Sequence, residues 1–235
     1  MAKKTTNCPT ASLQQLVTYY EKGPGVNFDS RFQVYQQFFM SNNHSDLIKA
    51  EIALIGAHQA RLNDIHGQRK YAQDAIKKLA RAKLWIKKYS CFQDIYDDVE
   101  STLMGIKYVK ELAIYDCALR ISSCSAGCRP NDVYLNAGAS KGACALLGLS
   151  NVRSKMSPQS FPVPLCNIAA DHTEDFLCIY KDILTLGGIK PNAVLPKYYC
   201  SNKNCWGYRS NMLGYQIFVL KKRNVTSTIM SISYP

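Results

Sequence analysis

The run Arg69-Lys-Tyr-Ala-Gln-Asp-Ala-Ile-Lys-Lys-Leu-Ala-Arg-Ala-Lys-Leu-Trp-Ile-Lys-Lys-Tyr89 decides how this chain reads. Its apolar residues recur at three- and four-residue steps, the signature of an amphipathic helix. At about 100° of rotation per residue, Tyr71, Ala75, Leu79, Ala82, Ile86 and Tyr89 gather on one side, which is expected to face a core. Lys70, Lys77, Lys78, Arg81 and Lys88 gather within roughly a quadrant beside them. Trp85 falls among these cations, where an indole could stack on a base or beneath an arginine. Lys83 and Lys87 fall outside the quadrant.

Widening the window to Arg61–Lys88 gathers nine basic residues against two acidic ones, Asp64 and Asp74. That is +7 of the chain's net +12, held in 28 of its 235 residues. Charge concentrated in this way implies a surface that meets a polyanion, and nucleic acid is the first expectation, DNA and RNA being undistinguished. An acidic protein surface is the alternative partner, and an enzyme acting on nucleic acid, glycosylase- or nuclease-like, is the alternative function.

The flanking sequence reads as further helices. Ser12 is placed to cap a short helix through Leu13, Leu16, Val17 and Tyr20, which the Gly23-Pro24-Gly25 breaker ends. A second helix is expected from Ser30 to Met40, and a third from Ser45 or Asp46 up to an interruption at Gly67. Phe92, Ile95, Tyr96, Val99 and Leu103 predict a helix over 92–103, Gly105 a turn, and Glu111–Ser122 another helix. Pro130 is expected to restart helix, and Gly138-Ala-Ser-Lys-Gly142 to form a tight turn. Asp171-His-Thr-Glu174 has the form of a capping box, with Gly187-Gly188 as the stop. Tyr215–Leu220 and Thr226–Ile232 are rich in β-branched and aromatic residues and suggest a small C-terminal hairpin.

The fold class expected is therefore mainly α, a multi-helix bundle-like domain with a short β segment at the end. The polar stretch Ser150–Pro164, with three prolines, divides the expected organisation into a helical part, 1–149, and a C-terminal part, 165–235, with packing of the second on the first as one domain the alternative. An apolar fraction of 47% with 20% charged residues is ordinary globular composition. No run is long enough to span a bilayer, and no apolar h-region follows Lys3 and Lys4, so an intracellular, cytoplasmic location is expected.

The segment Ile106-Lys-Tyr-Val-Lys-Glu-Leu-Ala-Ile114, continued by Tyr115-Asp-Cys-Ala-Leu-Arg-Ile121, lies between two expected helices. Over these 16 residues it resembles the hairpin of helix–hairpin–helix DNA-binding proteins, in which a Leu-Pro-Gly-Val-Gly-like turn opens the second helix. The two turn glycines of that family are Tyr108 and Lys110 here. The resemblance implies a phosphate held at the turn, with Lys107 and Lys110 as further contacts, through the donors and partial positive charge of a helix N-terminus. Its DNA glycosylase branch uses an aspartate after the hairpin, for which Asp116 is the nearby candidate. Asp116 is also four residues from Arg120, the spacing of an intrahelical pair.

Other chemistry is sparse. Ten cysteines without a secretory signal suggest thiols or metal ligands over a disulfide framework. Cys124/Cys128 and Cys200/Cys205 have knuckle spacing, so zinc is the one cofactor the sequence allows for, while none is required. His58 and His66 are candidate acid–base or phosphate-contacting groups, with Arg61 between them. Their separation of eight does not suit one metal. No catalytic triad and no Gly-Lys-Ser/Thr phosphate loop is present.

Overall fold

A computed structural model describes residues 12–55 and 69–187. The expected C-terminal hairpin lies outside them. The described residues are mainly α-helical: α1 (Leu13–Lys22), α2 (Pro24–Met40), α3 (Asp46–Ile55), α4 (Arg69–Ala82), α5 (Phe92–Leu103), α6 (Glu111–Ser122), α7 (Ala137–Leu147) and α8 (Ala170–Gly187). Two short strands, β1 (Val133–Tyr134) and β2 (Lys155–Met156), pair antiparallel with Val133 opposite Met156.

The described residues divide into two compact units, 12–27 with 131–187 and 28–55 with 69–130. This is not the chain-order division at 150–164 expected from composition. Leu16, Val17 and Tyr20 of α1 share a buried core with Val133, Leu135, Phe176 and Tyr180, so the first helix belongs with the later elements. The polar 150–164 stretch is an excursion within that unit and carries β2.

In the first unit, α1 starts as the sequence predicts. Gln15 N–H donates to Ser12 Oγ at 3.2 Å, and Ser12 N–H donates to Gln15 Oε1 at 3.0 Å, which satisfies two donors at the helix start. Residues 138–142 are helix, not the expected tight turn, and the reason is packing. Gly138 and Gly142 share one side of α7 against α8. A Cβ on Gly142 would stand 2.5 Å from the Leu177 carbonyl oxygen, and one on Gly138 would stand 2.7 Å from Cys178 Sγ. The glycines therefore serve close backbone approach. Gly142→Ala should destabilise this unit by about 1–3 kcal/mol in urea denaturation, because its neighbour is rigid backbone. An unchanged transition midpoint would contradict the contact.

Pro130 does not restart a helix, since both residues of β1 are buried and paired instead. Asp171 sits in the first turn of α8 and not at its cap, with Oδ1 accepting from His172 N–H at 3.0 Å. Tyr20 ties α1 to α8: its hydroxyl donates to Asp175 Oδ2 at 3.1 Å and lies 2.9 Å from His172 Nδ1.

In the second unit, α3 packs on α4 and α6, and α5 packs on α4 and α6. Pro24 starts α2 six residues before the expected Ser30, since proline's fixed φ suits a first helical position. Helices α5 and α6 have the expected bounds. Ala72, Ala75, Leu79 and Ala80 form the buried side of α4. The helix stops at Ala82, short of the expected Tyr89, because Lys83 takes a left-handed conformation at φ 48°. A 3-10 turn, Leu84–Ile86, follows.

Candidate nucleic-acid interface

Lys83 resets the phase of everything after it. Trp85, expected among the lysines, is 4% exposed and stacks on Phe39 with centroids 6.0 Å apart. Ile86, expected in the core, is 69% exposed. Trp85 thus anchors the end of the basic stretch and offers no face to a ligand. Lys88 is exposed but lies beyond the 3-10 turn, off the side of α4 that carries the other cations.

Within α4, Lys77, Lys78 and Arg81 are exposed, and Lys70 lies in the first turn. Ion pairs sort the basic residues further. Lys83 Nζ pairs with Asp46 at 2.6 Å and Lys87 Nζ with Asp98 at 2.9 Å. The Lys87 hydrogen bond is the largest influence holding the Asp98 carboxyl below its ordinary range, with Tyr89 donating to it as well. No ion pair among the described residues involves Lys77, Lys78, Arg81, Lys88, Lys107 or Lys110. Asp74, one turn before Lys78, makes no ion pair with any of them.

The connection from Met104 to Lys110 lies along α4. Lys78 Nζ donates to the Met104 carbonyl at 3.1 Å, and Tyr71 meets Tyr108 edge-on with centroids 5.4 Å apart. Tyr71 and Lys78 are about two turns apart, so the connection touches the helix at two levels. Two turns shape it, with Ile106 N–H donating to Leu103 O and Val109 N–H to Ile106 O. Gly105 at φ 76° and Tyr108 at φ 69° both occupy left-handed backbone. The Lys107 ammonium stands 4.9 Å from the centre of the Tyr108 ring.

At the start of α6, Ala113 and Ile114 N–H both donate to the Lys110 carbonyl, and no side chain caps the helix. Glu111 places a carboxylate in that first turn. It opposes an anion at the helix end, so the lysines around the turn are the stronger attraction.

No protein-family model, curated protein or solved structure matches this chain.

The remaining candidates separate clearly. His58, Arg61 and His66 lie outside the described residues, as do Cys200 and Cys205. Asp116 accepts from Arg120 Nη2 at 3.2 Å, the intrahelical pair its spacing allows. Arg120 is buried and also donates through Nη1 to the Ala53 and Leu54 carbonyls at 2.8 and 3.1 Å, so it holds the end of α3. Burial pushes the Cys124 thiol up to about 11 and raises that of Cys128, which donates to the Tyr89 carbonyl at 3.3 Å. Among the described residues no three His, Cys, Asp or Glu side chains gather as metal ligands. None of the described helices is long and apolar enough to cross a membrane.

The residues the sequence reading passed over are Tyr71 and Tyr108. The available signal was a tyrosine where a glycine-favouring turn was expected.

Proposed function

We propose that this protein binds nucleic acid by contacting phosphates with Lys77, Lys78 and Arg81 of α4, together with Lys107 and Lys110 of the adjoining turn. The observation that carries the reading is the sorting of charge. Acidic neighbours neutralise Lys83 and Lys87, while the exposed cations on α4 and the turn beside it have no ion pair among the described residues. A basic surface serving only solubility would gain from interspersed acids, whereas a phosphate-binding one is weakened by them. The resemblance to helix–hairpin–helix proteins adds support at the turn, where Tyr108 occupies the backbone conformation that a glycine would favour.

Salt is the direct test. With three to five phosphates neutralised, log affinity for duplex DNA should fall against log salt with a slope between about −2.7 and −4.5. Fluorescence anisotropy across a salt series reads this slope. A flat response would overturn the reading.

A further inference from the structure

We infer that the favoured ligand is single-stranded nucleic acid, with one base stacked on the ring of Tyr108. This rests on the phosphate-contact reading and specifies it. Tyr108 is 48% exposed at the end of the turn, and Met104, in the same turn, is 69% exposed. Large apolar groups left open amid cations are what a purely phosphate-tracking surface has no use for. Single strands present the π-faces of bases next to their phosphates, and proteins that bind them combine aromatic platforms with basic grooves.

The placement of Tyr108 is specific. Its φ of 69° belongs to the left-handed region, which an aromatic L-residue enters only at a steric cost. Tyr71 meets the ring edge-on and the Lys107 ammonium lies over it, the residue as a whole remaining about half exposed. A base stacking on that face takes the place of the Lys107 ammonium, now 4.9 Å from the ring centre, and the displaced cation stays within reach of the nucleotide's phosphate. Lys78 holds the turn through the Met104 carbonyl. A ring held in this way stacks with little loss of side-chain freedom.

The test compares fluorescein-labelled probes of equal phosphate count: an oligothymidine, an abasic oligonucleotide and a duplex. Each is measured with the wild-type protein and the Tyr108→Ala, Tyr108→Phe and Tyr108→Gly variants. Oligothymidine should bind about tenfold tighter than the abasic strand, the effect of one base–aromatic stack. Tyr108→Ala and Tyr108→Gly should erase that difference, and Tyr108→Phe should keep it. Tyr108→Gly relieves the backbone penalty, so it should fold at least as stably as wild type while losing the preference. That separates stacking from a structural role for the tyrosine. Equal affinity of wild type for the oligothymidine and abasic strands overturns the stacking inference, as does an unchanged preference in Tyr108→Gly. In either case, salt-dependent binding of all three probes leaves the phosphate reading standing. Failure of every probe to bind overturns both.

Discussion

On the proposed phosphate-contact reading, exchanging Lys77 and Arg81 together for glutamate should lower affinity for nucleic acid about 100-fold at near 0.1 M salt and leave the helix content unchanged. Each contact to a duplex phosphate contributes a counterion-release term that scales as about 0.9 of a decade per decade of salt. Two lost contacts then account for a factor of roughly 60 at 0.1 M, and the new carboxylates add repulsion. The log–log salt slope should shrink by about two in the same measurement. Both side chains point to solvent, and neither makes an ion pair among the described residues, so circular dichroism should not change. Lys78 is left out of the pair because its ammonium also holds the Met104 carbonyl, and its reversal would disturb the turn as well. Wild-type affinity and slope in the double variant would remove α4 from the interface.

Arg120→Ala destabilises the second unit by about 3–5 kcal/mol, the scale of removing one member of a buried ion pair. The guanidinium reaches the carbonyls of Ala53 and Leu54 in the last described turn of α3. It also pairs with Asp116 on its own helix. Truncation leaves these groups desolvated without a donor, so the loss exceeds that of an exposed pair. Urea denaturation followed by the emission of Trp85, in a background where Trp206 is phenylalanine, measures it. A change below 1 kcal/mol for Arg120→Ala would show that water replaces the guanidinium.

Helix existence was legible in the sequence wherever an apolar period ran without interruption. Phe92–Leu103 and Glu111–Ser122 have their expected bounds, and the Ser12 cap is made. What failed depended on contacts distant in sequence. Gly138 and Gly142 look like a turn until α8 is laid against them. The helical wheel ran through Lys83 because nothing local marks a lysine that adopts left-handed backbone. That one residue turned Trp85 inward and Ile86 outward, which reversed the expected roles of both. Within the candidate interface, the cations of α4 could be read from spacing. The aromatic partner could not, because Tyr108 meets Tyr71 only once the turn is folded along the helix. Nor does chain order reveal that α1 shares a core with residues more than a hundred positions away.

The sides of α4 divide labour in a way that bears on how such a protein can diverge. Its inner side is three alanines and a leucine, a seam that fixes the helix against its neighbours, and its register is closed by the buried indole beyond its end. Lys77 and Arg81 take no part in that seam. Charge on the outer side can therefore be added, removed or inverted one residue at a time without passing through an unfolded intermediate sequence. If α4 contacts phosphates as proposed, affinity and stability are separately adjustable in this helix.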